Sequence, residues 1–162
     1  MKTFILGNAM LGSEKRHNFF GLDSKSTFID KFCDDWRETI HERDRVILIG
    51  DTGPKVHRYL YKDLPGRKII IGKPNHATLD PIWHDHMRGI ELPWTYNDKT
   101  VTFHLGTAKG DVRLHTETTE DSFMHTQDTS DAINIDIAVW GGRLLTVETL
   151  GVYHRNLIQG EI

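Results

Sequence analysis

Residues 45–72 read RVILIGDTGPKVHRYLYKDLPGRKIIIG. Two near-continuous apolar runs, RVILIG ending at Gly50-Asp51 and RKIIIG ending at Gly72, enclose KVHRYLYKDL, whose apolar residues recur at helical spacing and stop at Pro65-Gly66. Strand, helix, strand predicts a right-handed crossover between two parallel strands, and the unbroken apolar runs predict strands buried on both faces. This stretch therefore sets the expected class as α/β.

Upstream, KTFIL reads as another short buried strand, followed by a polar, Gly-rich loop over residues 7–24. Over residues 26–41 the apolar positions Phe28, Ile29, Phe32, Cys33, Trp36 and Ile40 fall at helical spacing between charged residues, predicting an amphipathic helix that buries Cys33. Burial makes a reactive thiol the weaker reading there. Downstream, GIEL, TVTFH, DVRLH and AINIDIAVW read as short strands separated by turn signals at residues 96–99 and 109–111. No helix long enough for a crossover fits between the last three, so antiparallel or mixed pairing is expected. Residues 116–131 are polar and nearly free of core residues, which predicts a mobile surface loop.

The chain has 162 residues, no internal repeat and no linker-like segment, so one compact domain is expected, large enough to bury a core without staples. A net charge of -3 argues against a broad phosphate-binding surface and hence against bulk nucleic-acid binding, while leaving a single nucleotide open. One cysteine allows neither an intrachain disulfide nor a thiolate zinc site, which suits a reducing cytoplasm. The apolar run at residues 4–6 breaks at Gly7-Asn8, far short of a signal or membrane segment, so no membrane association is expected.

Ligands of parallel α/β sheets bind outside the carboxyl ends of the strands. Several predicted strands end there in coordinating side chains: Asn8 after the first, Asp51 after the second, Asn75 and His76 after the third, His104 after VTF, and His115 with Glu117 after VRL. Ten histidines in the chain strengthen a site reading, since imidazole is the commonest metal ligand and proton carrier. Each position also has a structural reading: Asp51 as a helix cap or turn residue, Asn75 as a turn residue, His104 as a hydrogen-bonded strand-end histidine.

The order of these pieces resembles the calcineurin-like metallophosphoesterases, especially their short single-domain members. The resemblance rests on DDWRETIHERDRVILIGD, on LPGRKIIIGKPNH and on the closing INIDIAVWGGRLLTVETL, and spans most of the chain. It implies a metallophosphoesterase-like mixed β-sandwich flanked by helices, with a metal centre at the strand ends. In the family the first strand is followed by Asp-x-His; here Asn8 and Met10 occupy those places. Asp51 matches the bridging aspartate, Asn75 and His76 match the third-strand motif and His104 the lone histidine, while the final Gly-His-x-His is replaced by TETT, residues 116–119.

By this resemblance one of two metal positions keeps Asp51, Asn75 and His104, with Glu117 as an oxygen donor or His115 in its stead, and would take a single Mn, Zn or Fe ion. The second position, left with Asp51 and the neutral Asn8, is expected to be lost; methionine is a poor ligand for hard cations, and Met10 reads as core. His76 is implied as the catalytic histidine facing phosphate, oriented by Asp80 or Asp85, with Asn8 and His115 as further substrate contacts. One metal keeps Lewis-acid and water-activating effects but not the two-metal clamp. The expected function is therefore reduced or lost hydrolysis of a phosphate ester or nucleotide, the alternative being a pseudoenzyme that binds a nucleotide or protein through the old cleft.

Two other motifs carry less. His84 and His86 could chelate together from a strand but would splay on a helix, and Asp80-Pro81 predicts a helix start just before them. GLDSKST, residues 21–27, lacks phosphate-loop spacing and does not follow a strand directly.

Overall fold

The computed structural model describes residues 1–10, 25–72, 80–116 and 128–160. The chain is a compact α/β domain of two mixed sheets flanked by few helices. The first sheet holds β1 (Thr3–Gly7), β2 (Arg45–Ile49), β3 (Arg67–Ile71), β4 (Asp85–Met87) and β9 (Leu145–Thr146) in the order β4-β3-β2-β1-β9. Strands β1 to β4 are parallel and β9 is antiparallel to β1. The second sheet runs β5 (Gly89–Tyr96), β6 (Lys99–Gly106), β7 (Val112–His115) and β8 (Ala132–Asn134) in that order.

Alternation along the first sheet explains its continuous apolar runs. Ile5, Ile47, Ile69 and Ile71 face the second sheet and pack against Leu92, Phe103, Leu105, Val112, Leu114 and Ile133. Phe4, Leu6, Val46, Leu48 and Ile70 face the opposite way, towards α1 (Lys25–Thr39). β1, β2 and β3 thus bury both faces, as parallel strands under a crossover must.

Helix α1 turns Phe28, Phe32 and Trp36 inward at four-residue spacing. Their rings continue through Tyr61 to Trp83, with successive centroids 5.3–6.1 Å apart. Each buried ring contributes about 2–3 kcal/mol by apolar transfer. The indole N–H of Trp36 donates to the Pro65 carbonyl at 2.7 Å, so the polar atom of this deeply buried ring is satisfied.

Three expectations change. The crossover helix is a four-residue α2 (Lys55–Arg58) that tightens into a 3-10 segment, Tyr59–Asp63. Tyr61 alone in that segment reaches the core, donating its hydroxyl to the Thr52 carbonyl at 2.9 Å, and the chain closes at Gly66 with φ 96°.

Asp80-Pro81 starts no helix: a turn leads straight into β4. The outer edge of β3 needs partners for its backbone groups, and pairing with β4 outweighs the local helix signal. His84 Nδ1 accepts the Lys68 N–H at 2.9 Å and His86 Nε2 meets the Gly72 carbonyl at 2.8 Å. The two histidines therefore fasten β4 to β3.

In the second sheet the last three strands pair in parallel, where the sequence predicts antiparallel or mixed pairing, and the β5–β6 hairpin makes the sheet as a whole mixed. β5 and β6 form an antiparallel hairpin around Asn97-Asp98, both at positive φ, whereas β6–β7 and β7–β8 are parallel. The chain returns from β6 to β7 without a crossover helix, and the Asp111 N–H donates to the Thr102 carbonyl at 2.8 Å in that return.

Helix α3 (Val147–Gln159) closes the sandwich. Thr146 caps it by accepting the Thr149 N–H at 3.1 Å, and Gly160 ends it at φ 71°. Leu150, Gly151 and His154 are its buried residues. Among the described residues no helix is long and apolar enough to cross a membrane.

Candidate functional site

At the carboxyl end of β1 the backbone changes partners. Phe4 and Ile5 pair with β9, but the Gly7 carbonyl accepts the Ile137 N–H at 2.9 Å, and Gly7 bridges in parallel to Asp136. The segment after β8 therefore crosses from the second sheet to the first at this point. A side chain at residue 7 would meet the Ile135 carbonyl oxygen at 2.6 Å, so the crossing requires glycine. On the other side the Asn8 N–H donates to Ile49 and the Met10 N–H to Asp51, extending the β1–β2 ladder past both strands.

Asn8 sits inside this junction at φ 49°. Its Oδ1 accepts the Asp51 N–H at 2.9 Å, while its Nδ2 donates to Asp136 Oδ2 at 2.8 Å and to the Thr116 carbonyl at 3.3 Å. An N–H on one side and a carboxylate on the other fix the amide orientation. Gly50, at φ 81°, permits the approach: a Cβ there would lie 2.0 Å from Asn8 Oδ1. Asp51 itself is exposed, and its Oδ1 accepts the Gly53 N–H at 2.8 Å in a tight local turn.

Asp136 is the residue that sequence reasoning missed. It is fully buried, with Oδ1 accepting the Ala138 N–H at 2.8 Å and Oδ2 facing Asn8. Its signal lay in INIDIAVW, where one acid interrupts an apolar run. A carboxylate in such a run must find donors when buried.

The loop after Asp51 is braced from the side. Arg58 donates to the Gly53 carbonyl at 3.0 Å and pairs with Asp80 at 2.8 Å, both charged side chains being largely buried. Asp85 pairs with Arg67 instead. Both acids proposed to orient His76 thus carry arginine partners. Burial raises the Tyr61 phenol above its ordinary range, keeping it a neutral donor beneath Thr52.

Of the residues singled out from sequence, Asn8 and Asp51 come together directly. Thr116, next to His115, joins them through its carbonyl. By strand alternation His104 and His115 share the outward face of the second sheet, since Phe103, Leu105 and Leu114 point into the core. The His104 ring lies against the Gly110 turn, where a Cβ would approach Cδ2 to 3.1 Å, and its Nδ1 is buried without a hydrogen-bond partner among the described residues. Asn75, His76 and Glu117 lie outside the described residues, as does most of the polar loop 116–131.

Of the four donors that the resemblance implies for a single cation, Asp51 and His104 are among the described residues. At the β1–β2 end, Asn8 commits its oxygen to a backbone N–H and turns its NH2 towards Asp136, leaving Asp51 as the exposed anionic donor. Among the described residues no group of three or more His, Cys, Asp or Glu could hold a metal ion.

No protein-family model and no curated protein matches the chain. A solved structure of a protein of unknown function from Aquifex aeolicus, AQ665, aligns with a TM-score of 0.65 over 94% of this chain and 98% of that one. At 10% identity, that likeness is one of fold alone.

Proposed function

We propose that this is a metallophosphoesterase-fold protein whose metal-dependent hydrolysis is reduced or lost, and whose cleft at the ends of β1 and β2 serves to bind a small phosphorylated molecule or nucleotide. The observation that carries the reading is the two-sided use of Asn8. A two-metal centre needs negatively charged oxygens or imidazoles at shared positions to clamp attacking and leaving groups. An amide locked between the Asp51 N–H and the Asp136 carboxylate supplies neither charge nor a free oxygen there. The second reading keeps one ion on Asp51, Asn75, His104 and Glu117; Asp51, exposed at the loop, is the feature that favours it.

Elemental analysis after loading with Mn²⁺ and Zn²⁺, beside release of nitrophenol from a nitrophenyl phosphate, separates these readings. The proposal expects no stoichiometric ion retained through Asp51 and at most residual metal-dependent turnover. A stoichiometric ion that Asp51→Ala removes together with turnover would overturn it in favour of the single-ion enzyme.

A further inference from the structure

Position 8 must do two opposite things at once. Towards Asp51 it accepts a backbone N–H at 2.9 Å, and towards Asp136 it donates at 2.8 Å. An amide has both functions on one short side chain, whereas a carboxylate is acceptor-only when ionised. Asp136 is fully buried, so a carboxylate at position 8 would place two anionic oxygens at hydrogen-bond distance in a water-poor junction. The Gly7–Asp136 bridge fixes this pairing through the backbone.

We infer that Asn8 and Asp136 form an exchanged acid–amide pair: Asp136 is the positioning residue that holds position 8 neutral, and so closes the β1 end of the cleft to a divalent cation. The pairing itself stands on the geometry, while the cation clause rests on the functional reading above. The polarity of the hydrogen bonds makes the pair reversible. With Asn8→Asp and Asp136→Asn together, the carboxylate at position 8 accepts from the Asp51 N–H and from the new amide at position 136. That amide's oxygen still accepts the Ala138 N–H now bound by Asp136. Of these hydrogen bonds, the long Asn8 contact to the Thr116 carbonyl, 3.3 Å, is lost.

The test is a thermal double-mutant cycle on the full chain, followed by calorimetric titration with Mn²⁺. Asn8→Asp alone is expected to lower Tm by roughly 10 °C and Asp136→Asn alone by roughly 5 °C, while the double variant recovers to within about 3 °C of the parent. If Asn8→Asp does not fold, a folded double variant is the same rescue. Additive losses, or a double variant that does not fold, overturn the pair. The double variant should also bind Mn²⁺ at least tenfold more tightly than the parent, through Asp51, with the gain removed by Asp51→Ala. Unchanged Mn²⁺ binding overturns the cation clause and leaves the pair to the thermal cycle. Asp51-dependent turnover by the parent protein would instead overturn the functional reading without touching the cycle.

Discussion

Gly151→Ala in α3 sets two well-defined effects against each other. In a helix interior the change gains about 1 kcal/mol of propensity. The added methyl, however, would lie 2.1, 2.3 and 2.6 Å from Cδ2, Cε2 and Cε3 of Trp94, where apolar atoms require about 3.5 Å or more. Those are fused-ring atoms rather than the loose end of a side chain. The indole is further held by stacking on Tyr96, with centroids 5.7 Å apart and planes 6° from parallel, and Tyr96 is itself covered by the Arg155 guanidinium at 4.4 Å. Helix or ring must therefore move by more than an ångström, and overpacking of this kind costs about 1–3 kcal/mol, more where nothing can yield. The net expectation is a loss of up to about 2 kcal/mol, or up to roughly 6 °C in Tm. Urea unfolding at constant m reads the change. In a Trp94→Ala background the methyl meets no ring, so Gly151→Ala should become stabilising by about 0.5–1 kcal/mol. Stabilisation in the parent, or the same effect in both backgrounds, would refute the reasoning.

Two further outcomes follow from buried polar groups. The carboxylate of Asp44 accepts the N–H groups of His41 at 2.9 Å and Lys2 at 2.8 Å, and these bonds hold its pKa below the ordinary carboxylate value. The unfolded chain therefore takes up this proton first: the stabilisation is present above the ordinary value and is lost as pH falls through the lowered one. The slope of Tm against pH below about 4 should be shallower in Asp44→Asn than in the parent, and equal slopes would exclude this group as a contributor. Tyr61→Phe should cost about 1–2 kcal/mol in urea unfolding, because the Thr52 carbonyl loses its buried donor; a change within error would mean that water replaces the hydroxyl.

Local pattern made some elements legible and left others hidden. β1, β2, β3 and α1 declare themselves because their burial is periodic: both faces of the central strands are apolar, and Phe28, Phe32 and Trp36 repeat at the helical interval. β4 could not be read this way. Its residues, DHM, carry no strand periodicity, and it exists because the edge of β3 needs partners. The parallel return from β6 to β7 is equally a tertiary choice. At the site, Asn8 and Asp51 were legible as polar residues just past buried strands. Asp136 was not, since only the three-dimensional crossing of the post-β8 segment over Gly7 brings it to Asn8. The same crossing decides what the junction can do chemically.

That crossing also orders events in time. Asn8 and Asp136 are separated by 128 positions along the chain, so their contact closes one of the largest loops available to it. Non-local contacts of this kind form late, because the entropy of closure must be met before they contribute. During synthesis β1, β2 and β3 can begin pairing while residue 136 is still inside the ribosome. The junction is then an open seam: Gly7 has β2 on one side but not the Asp136 segment on the other, and Asn8 has no Asp136 to hold. A chain interrupted before that residue would retain its central strands and α1 but never acquire the junction, which makes the junction a marker of completed folding.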